Sequence, residues 1–402
     1  EVINKNRALM INSPNKNNSL KDNLELWKEL QNGNSKLTLR ANIDMKHKIA
    51  CMRDPVLYRC CDIAHYKTGD KYKVYPSYDF SCPILDSIEN ITNTFRTSEY
   101  SDRTELYFWV LDKLNLRKPK LQLFSSLSFD HTILSKRKIR WLIENKYIND
   151  WNDPRLCTIQ GLIKRGITPS CILQYVDKFY LSNNVAKQGT YSLMVNINAN
   201  ILDNLVIPRY TAINKENVFI LTFDPPINKI IKNVPLHPKF PEYGTKSMTL
   251  SNKIYLEGKD SKLLQVNDEI TLFNLGNVII KEINNNNIIV RANFDGDYKT
   301  TKYKLTWLSC DDSIDITIFE YNHILKTPKL IFNDDDSIDK NCIDTNSSKQ
   351  MSCYGENSMS SLCAGTHIQF LRRGYHIVND NYDMEFIKLP DNKINHLSAY
   401  AK

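Results

Sequence analysis

From about residue 206 the hydrophobic pattern changes period, and that change limits what the chain can fold into. NVFILTF (217–223), SMTLSNKIYLEG (247–258), DEITLFNL (268–275), NVIIKEI (277–283), NIIVRANF (287–294) and YKLTWL (303–308) are short runs rich in β-formers. Turn-formers separate them, including a turn over Asn284–Asn287. Runs of this length and spacing predict one or two small barrels over 206–402. Residues 64–146 alternate instead. YKVYPSYDF (72–80) reads as a strand, CPILDSIENI (82–91) as a helix, TNTFRT (92–97) as a strand and RTELYFWVLDKLN (103–115) as a helix. KLQLFSS (120–126) follows as a further strand. Alternation of this kind implies a parallel sheet that takes ligands at the carboxyl ends of its strands.

The flanking regions read more simply. LKDNLELWKEL (20–30) places Leu20, Leu24, Trp27 and Leu30 at helical spacing behind Ser19, a candidate N-cap, and SKLTLRANIDM (35–45) alternates as a strand does. Residues 147–205 read as mostly helical, punctuated by WNDPR and RGITP. The polar stretch 333–361 reads as a loose loop without a site.

A chain of 402 residues with 42% hydrophobic and 24% charged residues is long enough for about two to four folded domains. No apolar run reaches the roughly 18 residues that a membrane-spanning helix needs. The first residues, EVINKNRALM, carry no signal-peptide pattern and read as an internal cut in a longer protein. A net charge of +8 admits a polyanion or an acidic substrate without requiring either. The ten cysteines contain no CxxC pair and no matching histidine spacing, so no protein-bound structural metal is expected. They read as thiols in a reducing compartment, with Cys342, Cys353 and Cys363 set apart as a cluster in a polar loop.

Three segments carry the chemistry: YKVYPSYDF, TFRTSEY (94–100) and ILSKRK (133–138). In the last, a hydroxyl and three adjacent cations open the helical pattern IRWLIENKY, an arrangement suited to a polyphosphate that gains charge in a transition state. Alone, SKRK is more simply a solvated basic helix start. It stands, however, among RDPVLYRC (53–60), TGDKYKVYPSYDFSCPILDSIE (68–89) and DWNDPRL (150–156), with HPKFPEYGTK (237–246), KLTWL (304–308) and IQFLRRGY (368–375) further on. In that order the segments resemble the class I aminoacyl-tRNA synthetases, with LSKRK in place of their KMSKS loop. The likeness covers nearly the whole chain and is to the glutamyl-tRNA synthetases of the eukaryotic and archaeal, cytoplasmic type.

The resemblance implies a fold and a division. Residues 1–63 would end the acceptor-stem-binding insertion, and 64–146 would form the C-terminal half of a Rossmann-like catalytic domain. A helical stem-contact region over 147–205 and two anticodon-binding β-barrels over 206–402 would follow. It implies the substrates glutamate, ATP with Mg2+, and tRNA(Glu), and an accessory or multi-synthetase partner held through a missing N-terminal part. Arg96 matches the arginine that receives the substrate side-chain carboxylate; from the residues alone a salt bridge to Glu99 or Asp102 is an equal reading. A fork of two charge-assisted bonds is worth roughly 1.5–3 kcal/mol per bond where water is excluded. Tyr78 matches a tyrosine lining that pocket, and Leu121 an apolar position where bacterial glutaminyl enzymes carry an amide. Thr97, Glu99, Leu127 and Leu134 match positions near the nucleotide. Ser135, Lys136 and Lys138 match the phosphate-handling end of the signature loop and are the expected catalytic residues. Lys246, Gln369 and Arg372 match positions that read anticodon bases, while Lys164 and Arg165 suit phosphate contacts.

Three departures qualify the likeness. Ser126 and Ser128 replace the arginine and asparagine of the more usual SRLNxxYTxxSKRK, and Cys82 stands where histidine or asparagine is common. No HIGH-type motif occurs, and His65 belongs to a turn of the HHRTG kind, so the chain is expected to be an inactive fragment of a synthetase. The alternatives are a glutaminyl-tRNA synthetase and a non-catalytic tRNA-binding or assembly protein.

Overall fold

The structure, a computed structural model, describes residues 9–11, 18–180, 186–333, 337–379 and 383–390. The chain divides into two units, Glu1–Leu127 with Phe179–Lys187, and Ser128–Lys178 with Gln188–Lys402.

In the first unit the helix Leu20–Gln31 starts where local chemistry requires it. The Ser19 hydroxyl accepts the amide of Asp22, and the Asp22 carboxylate accepts the amide of Ser19, which satisfies two otherwise orphaned donors. Its inward face is Asn23, Trp27 and Leu30; Leu20 is left 46% exposed, because it lies in the first turn and outside the packed stripe. Behind it runs an antiparallel sheet in the order Leu9–Ile11, Thr38–Ala41, Val56–Cys60, Val74–Pro76. The strand expected over 72–80 is only Val74–Pro76. Ser77 adopts extended N-cap geometry and its carbonyl accepts the amide of Ser81, so the helix Tyr78–Ile88 begins inside the segment, with Asp79 favourably placed in its first turn. The alternation that follows is a βαβ unit. Asn93–Thr97 and Lys120–Phe124 pair in parallel, joined through the helix Thr104–Lys113, with Arg96 opposite Leu123. Arg96 and Thr97 therefore stand at the carboxyl end of their strand.

The second unit holds the β-rich region as two nested, nearly closed barrels. One sheet runs Ala212–Asn214, Ser348–Glu356, Ser313–Tyr321, Glu385–Lys388, Gly374–Val378, His367–Phe370, Arg209–Tyr210. Its two edges are halves of one stretch bent at Thr211. The other runs Lys304–Leu305, Glu269–Leu272, Gly276–Asn284, Asn287–Asn293, Phe219–Phe223, Lys253–Leu256, Trp307–Ser309, and its edges are likewise halves of one stretch bent at Thr306. Splitting one strand between the two ends of a sheet protects both edges. The second barrel (219–309) is inserted between two strands of the first (209–214 and 313–388), so the barrels are nested in sequence. The expected asparagine turn joins Asn284 to Asn287, with Asn285 in the left-handed region at φ 30°.

The loop expected over 333–361 is corrected. Ser348–Glu356 is a nine-residue strand between two neighbours, and it sends Cys353 and Gly355 into the barrel core. Small and sulfur-containing residues on its inward face gave it no hydrophobic signature. Cys342 is also buried, beside Ile343, and of the three thiols set apart only Cys363 is exposed.

His376 lies wholly inside the outer barrel, edge-on to Phe370, with Nδ1 donating to the Gly374 carbonyl and Nε2 without a partner. Burial pushes its pKa down to about 3 from an ordinary 6.5. A lowered folded-state value contributes stability that is present above pH 6.5 and is lost as pH falls towards 3. Urea midpoints measured between pH 7 and pH 4 should therefore drop, and His376→Leu should flatten that drop.

Candidate functional site

The first unit brings Tyr78, Cys82, Asp86, Thr94, Arg96 and Tyr107 together. Tyr78, Cys82 and Asp86 follow at intervals of four along the helix Tyr78–Ile88 and so share one face. Arg96 reaches that face from its strand and is only 7% exposed. Its Nη2 donates to Cys82 Sγ at 3.1 Å, its guanidinium lies 4.5 Å from the Tyr107 ring centre and 5.8 Å from that of Tyr78, and its Nε has no partner. It forms no ion pair among the described residues, so the salt bridge to Glu99 or Asp102 is not made. Glu99 and Asp102 are exposed.

Asp86 is the nearby carboxylate, and other groups engage it. It accepts the Tyr107 hydroxyl at 2.9 Å, the Thr94 hydroxyl at 3.4 Å and the Cys82 thiol at 3.6 Å. Burial first, and then this carboxylate, push Tyr107 up to about 12. Tyr78 is 58% exposed at the mouth, and its hydrogen bond with Cys82 raises its pKa above the ordinary value. A buried cation held by a sulfur and two aromatic faces is incompletely compensated, and an entering anion would complete it. Thr97 ends the strand as the residue preceding the 3-10 turn Ser98–Arg103, and Leu121 sits opposite Thr94.

In the second unit the SKRK segment is the first turn of a helix and not a loop. Ser135 is extended, its carbonyl accepts the amide of Ile139, and the helix runs Lys136–Glu144. Ile139 and Leu142 anchor it among Ile324, Leu325, Cys342 and Ile343. Lys136 and Arg137 are exposed, and Lys138 Nζ lies 4.5 Å from the Phe332 ring centre. These cations occupy the positive end of the helix dipole, where an acidic residue would be favoured and none is present. Leu134 is exposed beside them. Leu127 lies in the strand Ser126–Phe129, and the side chains of Ser126, Leu127 and Ser128 fall outside the described residues.

The residues expected to meet RNA separate into two groups. Gln369 is half-buried on the strand His367–Phe370 and its side-chain amide makes no hydrogen bond among the described residues; Lys164 is half-exposed at the end of the helix Ile159–Lys164. The other three are internal ties. Arg165 is 5% exposed, donates from both terminal nitrogens to the carbonyls of Pro154 and Tyr321, and lies over the Tyr191 ring; its Nε has no partner but is buried. Lys246 is paired with Glu356 at 2.6 Å and also donates to the Arg209 carbonyl. Arg372 grips the buried Asp260 with both terminal nitrogens, and Arg373 pairs with Glu257 at 2.6 Å. With the parallel stack of Tyr255 on Tyr354 at 4.2 Å, these pairs fasten one barrel to the other. Their acidic halves, Asp260, Glu257 and Glu356, carried no signal in sequence, since each is an ordinary surface residue type in a polar run.

Comparison with known proteins identifies the family. Residues 1–204 match the family described as tRNA synthetases class I (E and Q), catalytic domain, and residues 207–297 and 304–379 match its two anti-codon binding domains. The chain belongs to the class I tRNA synthetases for glutamate and glutamine. It is 36% identical to a cytoplasmic glutamate–tRNA ligase of Arabidopsis thaliana over 96% of this chain and 54% of that protein. A probable cytoplasmic glutamate–tRNA ligase of Encephalitozoon cuniculi is 35% identical over 94% and 58%. A bifunctional glutamate/proline–tRNA ligase of Mus musculus is 34% identical over 95% of this chain and 26% of its own length. The chain thus spans about half the length of the single-function relatives and about a quarter of the bifunctional one.

Removing one partner of a buried pair strands the other charge. Arg372→Ala should cost about 3–5 kcal/mol in chemical denaturation, whereas Lys281→Ala, whose pair with Asp224 is exposed, should cost less than about 1 kcal/mol.

Proposed function

We propose that this chain is the glutamate-selecting and tRNA-reading part of a glutamate–tRNA ligase of the cytoplasm. The observation that carries the reading is Arg96, a buried guanidinium with an unpartnered Nε and no carboxylate partner among the described residues. The side-chain carboxylate of glutamate supplies the missing charge, and the neutral amide of glutamine does not, which favours the glutamate reading over the glutaminyl one. Tyr78 lines the same pocket.

Activation joins the substrate α-carboxylate to the α-phosphorus of ATP and releases pyrophosphate. Ser135, Lys136 and Lys138 offer a hydroxyl and cations to the phosphates, with charge accumulating on the leaving pyrophosphate. ATP brings Mg2+ with it in this reading; no group of potential metal ligands occurs among the described residues. Thr97, Glu99, Leu127 and Leu134 remain the nucleotide-side candidates. For the RNA, Gln369 is the base-reading candidate and Lys164 the phosphate contact, whereas Arg165, Lys246 and Arg372 support the architecture. The stem-facing assignments for 1–63 and 147–205 belong to the same proposal. So does an accessory partner, for which the bifunctional relatives are a precedent for fusion to further domains.

Calorimetric titration of the 402-residue chain tests the pocket. Glutamate should bind in preference to glutamine, and Arg96→Ala should weaken glutamate by about 100-fold or more, because two charge-assisted bonds are lost. Equal affinity for the two amino acids would refute the assignment.

RNA binding gives a second test. Gln369→Ala should reduce discrimination between tRNA(Glu) and an anticodon-swapped version by about 1–3 kcal/mol. Lys164→Ala should weaken both RNAs alike and lower the salt slope by about one unit. Equal weakening of both RNAs by Gln369→Ala would move base reading elsewhere.

A further inference from the structure

Among the described residues Cys82 is the thiol that touches the Arg96 guanidinium, which forms no ion pair. Its geometry is fixed from two sides. The thiol hydrogen points to Asp86 Oδ2 at 3.6 Å, and the sulfur accepts Arg96 Nη2 at 3.1 Å. Arg96 is itself more than nine-tenths buried and keeps Nε without a partner, so an anion that reaches Cys82 meets an uncommitted guanidinium nitrogen. Cys82 is half-buried, one helical turn from the exposed Tyr78 at the mouth. Six of the other cysteines lie in other settings: Cys61 and Cys363 are exposed, and Cys157, Cys171, Cys342 and Cys353 are buried.

We infer that Cys82 is a covalent-modification site selective for small electrophiles that carry a carboxylate. Arg96 draws the carboxylate in, which brings the electrophilic carbon to the sulfur beside it. With an α-haloacid such as iodoacetate, the sulfur forms a bond to the methylene carbon, the carbon–iodine bond breaks, iodide leaves with its electron pair, and the thiol proton is lost to water. The attached carboxylate then occupies Arg96, so modification and glutamate binding exclude each other. This last consequence rests on the proposed glutamate reading; the anion selectivity rests on Arg96 alone.

The experiment uses the intact chain and peptide mass spectrometry to follow each cysteine separately. Iodoacetate and neutral iodoacetamide are compared at equal concentration, and their rate ratio at Cys82 is referred to the ratio at exposed Cys61 and Cys363. The expected ratio at Cys82 is about 10-fold higher than at the reference thiols, the lower end of what a focusing cation gives. Excess glutamate, but not glutamine, should slow the reaction at Cys82 only. A raised ratio without protection by glutamate supports the anion-selective thiol and overturns the glutamate reading. Protection by glutamate with an ordinary ratio overturns this inference and leaves the glutamate reading standing. An ordinary ratio without protection overturns both. In Arg96→Lys the charge stays and the ratio should remain raised; in Arg96→Gln, checked for an unchanged melting curve, the ratio should fall to that of Cys61.

Discussion

A buried positive charge that forms no ion pair among the described residues organises the first unit. Arg96 is removed from water by the helix Tyr78–Ile88 on one side and by Tyr107 on the other, and what it receives in exchange is a thiol and two ring faces. Such contacts recover part of the lost hydration, while an isolated buried ion costs several kcal/mol after relaxation. Asp86, the nearby carboxylate, accepts the Tyr107 and Thr94 hydroxyls and the Cys82 thiol and makes no hydrogen bond with the guanidinium, which meets it only through the shared thiol and ring. In the proposed function a ligand carboxylate fills that deficit. That a deficit of this kind is concentrated at the carboxyl end of a strand in a parallel pair follows from the βαβ unit, which leaves that end open.

The second unit treats its charges in the opposite way. Lys246, Arg372 and Arg373 find Glu356, Asp260 and Glu257, and the pairs lie where one barrel meets the other. Nesting explains why such ties are placed there. The inserted barrel is joined to the outer one by two covalent connections, through Ala212–Asn214 and Ser313–Tyr321, which lie on either side of Ser348–Glu356 in the outer sheet, so side-chain ties add to the backbone bond from Arg209 to the Leu236 carbonyl in fixing the junction. The Gly258 backbone is pressed so close to the Asn217 carbonyl that an added Cβ would lie 1.8 Å from it, so the helix bearing Asp260 is seated at the same junction. Of the five residues that likeness assigned to RNA, Arg165, Lys246 and Arg372 are thereby engaged inside the protein, while the side chains of Gln369 and Lys164 make no hydrogen bond among the described residues.

Much of this was legible in the sequence, for identifiable reasons. The βαβ unit and the short strands of the inserted barrel declare themselves because their inward residues are large and apolar, as with Ile288 and Val290. The capping box at Ser19 is a purely local signal and was readable as one. The strand Ser348–Glu356 was not, since its inward residues are Cys353 and Gly355 and its outward ones polar, so that pairing with two neighbours supplies what hydrophobicity does not. The helix start at Tyr78 was hidden behind β-favouring tyrosines. Arg96 could be singled out by its place in TFRTSEY, but its lack of an ion pair is a property of three dimensions, as is the burial of Arg165. Residue type names a charge and does not say whether its partner is inside the protein.

The most direct measurement is the side-chain Nε–H resonance of Arg96 in a proton–nitrogen correlation spectrum, assigned by its disappearance in Arg96→Lys. That group has no partner among the described residues, so a carboxylate that arrives at the guanidinium must register on it or on its neighbours. Addition of glutamate should shift this resonance in a saturable manner, while glutamine at the same concentration leaves it in place. A resonance that ignores glutamate, or that answers both amino acids equally, would contradict the view that this buried charge exists to receive the substrate's side chain.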